Sequence, residues 1–289
     1  MKRILILLLV ITGLYVFFNQ AFPFHQSSAA SKDIKSPISK DTDTIEIYAS
    51  SGNTVIIPQN RDDLKAVYNG KEKLTVTEKG DKVMVSLKNK RFNWFNWLPF
   101  SNHTELKIYI PEDFNRNMDI NLGSGNIRFT GHSKSKPFKL TDLSVELGSG
   151  NMNLTNLNVK NFEHNGSSGN IKIDSLRTKT GAIDLSSGNL TIKHYMGAMK
   201  AEVSSGKLNV QMDKMTDAIN IDLRSGSVGL DLPKNADFTL NGKVSSGNIN
   251  CDFPLTSKDS THKSIRGKHG SGKYKIDLSV TSGNIHIKY

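Results

Sequence analysis

Residues 120–129 read INLGSGNIRF. Ile120 and Leu122 stand before a Ser-Gly pair, and Ile127 and Phe129 stand after it. Within each couple the spacing is two, the period of a strand with one buried face. From Leu122 to Ile127, across Ser124-Gly125, the spacing is five. An odd offset in an unbroken strand would turn one couple outward. The backbone therefore has to bend at Ser-Gly, and glycine makes the bend because positive φ carries no steric penalty for it.

The same unit recurs along the chain. Its Ser-Gly pair begins at 124, 149, 168, 187, 205, 225, 246 and 282, with a looser copy at 51. From 124 the successive spacings are 25, 19, 19, 18, 20 and 21 residues, then 36. A period near 20 with one glycine corner per turn predicts an all-β fold, a β-solenoid (β-helix) of stacked coils. Eight to eleven coils at about 4.8 Å each would make a rod of roughly 40–55 Å. Pro111 and Pro233 each lie 13 residues before a corner serine, in the related contexts IYIPEDFNRNMDI and LDLPKNADFTL. They predict a second corner, where a missing amide proton costs no ladder bond; Pro58 is a third candidate. Asn126, Asn151, Asn170, Asn189, Asn248 and Asn284 hold one position of the repeat, with Lys207 and Ser227 as exceptions. Stacked coils would bring their amides together in a ladder.

Before the repeat the chain has two further parts. Met1-Lys2-Arg3 precedes fifteen uncharged residues, Ile4 to Phe18, the pattern of an export signal. Ser28-Ala29-Ala30 offers a cleavage site, but it stands far from the apolar run, so the expectation is an uncleaved transmembrane anchor over 1–24. Residues 25–44 then read as a polar linker, and 45–289 as the solenoid. On this reading the chain sits in the cell membrane as a single-pass protein with its C-terminal domain outside the cytoplasm. A lone cysteine, Cys251, excludes an intramolecular disulfide, and its place in the repeat predicts a buried apolar role. The net charge of +11 favours anionic partners. Export leaves anionic lipid, wall polymer or a membrane protein, and removes nucleic acid.

The repeat, the IYIPEDF element and the terminal LSVTSGNIHIKY resemble the bacterial putative-adhesin β-helix family of unknown function over about residues 45–289. With its anchor, the chain is similar to a membrane-anchored protein of a Gram-positive cell-envelope stress operon. The resemblance implies a non-enzymatic binding or scaffold protein and supplies no catalytic residues.

Candidate chemistry is sparse. Glu146, Asp184, Glu202 and Asp222 stand three residues before their serines and would stack on the outer face. Such a row would suit a cation such as Ca²⁺, or would form a solvated face relieved by Lys172 and Arg224. With a basic partner it also suggests a carbohydrate-active β-helix enzyme, the alternative function, although the motifs of lyase catalysis are missing. Residues 267–274, GKHGSGKY, approach a phosphate-binding loop, but Tyr274 replaces the Mg²⁺-binding hydroxyl and a strand follows where a helix is needed. This leaves a basic loop with Lys263, Arg266, Lys268 and Lys273. The histidines show no metal-ligand spacing, and no cofactor is expected. One segment breaks the pattern, RFNWFNWLPF at 91–100. Trp94, Phe95 and Trp97 would contact membrane or a partner, or else form a hydrophobic lid on a solenoid end.

Overall fold

The computed structural model describes residues 32–88 and 104–289, and among these every regular element is a strand. No helix long and apolar enough to cross a membrane occurs among them. The expected anchor and the aromatic segment with Trp94, Phe95 and Trp97 lie outside the described residues.

The chain enters through β1 (Lys32–Pro37), which pairs antiparallel with β4 (Asp63–Tyr68). Residues 32–37 therefore belong to the folded body, which corrects the reading of 25–44 as linker. Lys32, Ile34 and Ser36 alternate on the inner face of this strand, while Asp33, Lys35 and Pro37 face out. A free sheet edge favours such residues because they block pairing with another chain, so a true edge strand reads as a polar linker.

Between these two, β2 (Thr44–Ala49) and β3 (Asn53–Gln59) form the first coil, bent at Gly52 with φ +98°. The chain then runs outward through β4 and β5 (Lys73–Lys79). It returns through β6 (Lys82–Lys88) and β7 (Glu105–Pro111), which pair parallel with β2 and β3 as an outer coil. From there β8 (Asn117–Thr130) crosses to the other face of β2–β3. The first coil in sequence is thus the second in space.

Regular stacking follows through β9 (Phe138–Gly166), β10 (Asn170–Leu185), β11 (Asn189–Met212) and β12 (Ile219–Asp231), all parallel and in register. At the far end the inversion recurs. The chain skips a level to β13 (Phe238–Val244) and β14 (Asn248–Cys251), and turns through the antiparallel pair β15 (Thr256–Ser260) and β16 (Ser264–His269). It comes back as β17 (Tyr274–Val280) and β18 (Asn284–Lys288), inserted between β12 and β13–β14. This insertion explains the 36-residue spacing before Ser282. The twin prolines have a shared reason as well. Pro111 and Pro233 open the turns that carry the chain over a skipped level, each accepting a bond three residues on, from Phe114 (3.2 Å) and Ala236 (2.8 Å).

The glycine corner holds throughout. A Cβ on Gly150 would stand 1.9 Å from the Gly125 carbonyl oxygen, and one on Gly169 would stand 2.1 Å from that of Gly150. Close backbone approach and positive φ together leave no room for another residue. The contacts run in the order 52, 125, 150, 169, 188, 206, 226, 283, 247, which is the spatial order of the coils. With the outer β6–β7 coil this makes ten levels, or nine steps of about 4.8 Å and roughly 43 Å of height.

A second bend is made without glycine. Asn156, Ser175 and His194 have φ of 56°, 62° and 55° and stack on one another. Each lies between buried residues three apart: Leu154/Leu157, Ile173/Leu176 and Ile192/Tyr195. The parity rule applied at Ser-Gly holds here too. Burial then resumes after a third bend, at Phe162 and Gly181, so each regular coil has three sides around an apolar core. Filling that core with Ile, Leu, Val and Phe contributes about 1.5–3 kcal/mol for each fully buried side chain.

Candidate binding surfaces

On the first side of the coils the outward positions collect acid. Register places Glu202 between Asp184 and Asp222, and Glu146 beside Asn121. Asp184, Glu202 and Asp222 thus stack on successive coils, while Asn165, opposite Asp184, interrupts the row before Glu146. Two members are engaged: Glu202 pairs with Lys200 at 2.7 Å, which holds its carboxyl below the usual range, and Glu146 accepts from Asn121 Nδ2. Arg224 adds to the lowering at Glu202. Lys172 does not take part, because the Ser-Gly corner separates it from the acidic side. Among the described residues no three His, Cys, Asp or Glu side chains stand close enough to hold a metal ion.

Past the corner lies the second side, which carries the asparagines. Nδ2 of Asn126 donates to Asn53 (2.6 Å), Asn151 to Asn126 (2.8 Å) and Asn189 to Asn170 (3.1 Å). Asn248 instead bonds Asn250 within its own coil, so the ladder is confined to the N-terminal half of the stack. Two residues further on, the next outward column holds Val55, Arg128, Asn153, Lys172 and Thr191. Together the two columns line an open groove of about 630 Å³. It runs along the stack across six coils, with Glu105 of the outer coil, opposite Asn53, at one end. Arg128 and Lys172 are exposed within it. Neither was singled out for this role in the sequence, although the column was readable as the second outward position after each corner.

The basic loop differs from a phosphate cradle for a specific reason. Its donors already hold an anion from the protein itself. Asp237 accepts from Ser271 Oγ (2.6 Å) and from the amides of Gly272 (2.6 Å) and Lys273 (3.0 Å). These bonds, the serine hydroxyl first, hold its carboxyl below the usual range. Lys268 and Lys273 remain exposed beside it, with Lys273 Nζ 5.0 Å from the centre of the Tyr274 ring. Cys251 is half-buried against the core opposite Ile287, and burial pushes its thiol up.

The Toastrack DUF4097 family matches residues 42–288. Among solved structures, the chain is similar to a putative adhesin from Parabacteroides distasonis ATCC 8503, with 12% identity, 90% of this chain and 97% of that chain covered, and a TM-score of 0.50. It is also similar to a putative lipid binding protein from the same organism, at 17% identity, 89% and 96% coverage and a TM-score of 0.40. A third is a putative cell adhesion protein from Clostridium sporogenes ATCC 15579, at 14% identity, 89% and 99% coverage and a TM-score of 0.29. No curated protein matches the chain. At 12% identity the first of these likenesses bears on the fold alone.

Proposed function

The chain belongs to the Toastrack DUF4097 family, and from that premise we propose a membrane-anchored, extracytoplasmic scaffold that binds cell-envelope polymer without catalysis. The groove of Asn53, Asn126, Asn151, Asn170 and Asn189, with Arg128 and Lys172, carries this reading. It is open and follows the stack, so it suits an extended chain better than a small enclosed substrate. Amides supply donors and acceptors for hydroxyl groups, and the two cations add attraction for acidic groups. The apolar run behind Lys2 and Arg3 supports the anchor, with the domain outside the cytoplasm. The setting we propose is the response to cell-envelope stress, on the resemblance to an anchored protein of such an operon.

The test is binding of isolated wall polymer to the full chain, held in nanodiscs of neutral lipid at low salt. Arg128→Ala/Lys172→Ala should weaken binding about tenfold while leaving thermal unfolding unchanged. A wild-type chain that ignores the polymer, or a double variant that binds it as tightly, overturns the reading.

A further inference from the structure

The third side of the stack carries a different chemistry from the other two. Lys139, Lys160, Arg177 and Lys179 surround a hollow of about 480 Å³, whose wall includes Leu140, Val159 and Met196. Asn158, Thr178 and Thr216 add neutral polar groups. We propose that this hollow is a binding site for the phosphodiester groups of an extended polymer, separate from the amide-lined groove.

Three observations carry the proposal. First, all four cations are exposed, and among the described residues none has a carboxylate within ion-pair distance. Elsewhere Lys82, Lys107 and Lys200 each hold a glutamate. The acids close in sequence to the hollow's lining are engaged by other groups: Asp142 accepts from Asn161 (2.6 Å), Asp174 from Ser175 Oγ (2.8 Å) and Asp217 from the Ala218 amide (2.7 Å), and Asp213 pairs with His194 (2.7 Å). Second, the stack forces these cations together. Arg177 stands opposite Asn158 and Thr178 opposite Val159, so the following residues, Lys160 and Lys179, lie on adjacent coils with backbones about 4.8 Å apart. Like charges carried on adjacent coils repel, and an anion seated between them relieves the repulsion. Third, the geometry suits phosphate. An arginine fork binds two phosphate oxygens at once, and lysines supply point charges around it. The cations follow the stack over successive coils within a concavity, which fits a flexible chain of spaced phosphates better than a flat bilayer.

Titration calorimetry with tripolyphosphate, on the full chain in neutral-lipid nanodiscs, tests the site. We expect saturable binding that weakens with salt and falls at least about tenfold in Lys160→Glu/Lys179→Glu. Lys160→Gln/Lys179→Gln provides the same test should charge reversal impair folding. Lys263→Glu/Lys268→Glu makes an equal change in net charge elsewhere and should leave affinity within about twofold of wild type. Arg128→Ala/Lys172→Ala should lower it less than Lys160→Gln/Lys179→Gln does, which separates this site from the groove. Lack of saturable binding would overturn the proposal, as would equal losses in the two charge-reversed proteins. So would binding to phosphatidylglycerol nanodiscs without binding to tripolyphosphate.

Discussion

At position 164 the alternation asks for an apolar residue and the chain supplies histidine. Its ring is fully buried between Val145 and Ile183. Nδ1–H donates to the Val145 carbonyl at 3.1 Å, while Nε2 has no partner. Gly166 makes room, since a Cβ there would stand 2.7 Å from Nε2. Burial favours the neutral ring and pushes its pKa from the usual 6.5 down to about 4. The unfolded chain therefore takes up this proton first as pH falls. Stability contributed by the neutral ring is full above pH 6.5 and is lost progressively down to about pH 4, by about 3 kcal/mol in all. Urea unfolding at pH 7 and pH 4 should show that loss in the wild type and a correspondingly smaller one in His164→Leu. An equal loss in both proteins would remove His164 as the cause. The position was legible, because Phe162 and His164 continue the period-two pattern. Ligand spacing is the wrong signal for this histidine, and alternation is the right one.

Among the elements, the corners explain both what the sequence discloses and what it hides. The Ser-Gly bend was readable because glycine marks it and the offset of five demands it. The bend at Asn156, Ser175 and His194 demands the same through its offset of three, but no single residue type marks it. Strand β1 was hidden by its polarity, which its edge position requires. The Asp237 bonds to the loop at 271–273 cross more than thirty residues, so no local pattern announces them. The glycine corners also differ from other left-handed glycines in a measurable way. Gly150→Ala would press a methyl into the Gly125 carbonyl and should destabilise the protein by roughly 2–4 kcal/mol. Gly80 also has positive φ, +63°, but nothing lies within 4 Å of a Cβ there. Gly80→Ala should cost only about 1–2 kcal/mol. Urea midpoints compare the two, and equal losses would show that stacking contact adds nothing at the corner.

For the whole molecule, both ends use one device. The chain runs out to a cap of antiparallel strands and returns beside its own first pass. This covers the end coils with β1, β4 and β5 on one side and β15 and β16 on the other, and it locks the C-terminal strand β18 inside the stack. The sequence held two traces of this, the long final spacing and the twin prolines, but neither states an order of coils. That order fixes every outward column, and with it the groove, the acidic row and the basic hollow. Pairs of cysteines in a Cys251→Ser background test it most directly, because a disulfide needs Cα atoms roughly 4.4–6.8 Å apart. Ser227 and Asn248 each stand opposite Asn284, on either side of its coil. Mild oxidation should close Ser227→Cys/Asn284→Cys and Asn248→Cys/Asn284→Cys, and leave Ser227→Cys/Asn248→Cys open. Closure of that last pair, with the first left open, would mean that the coils stack in sequence order and would contradict the account.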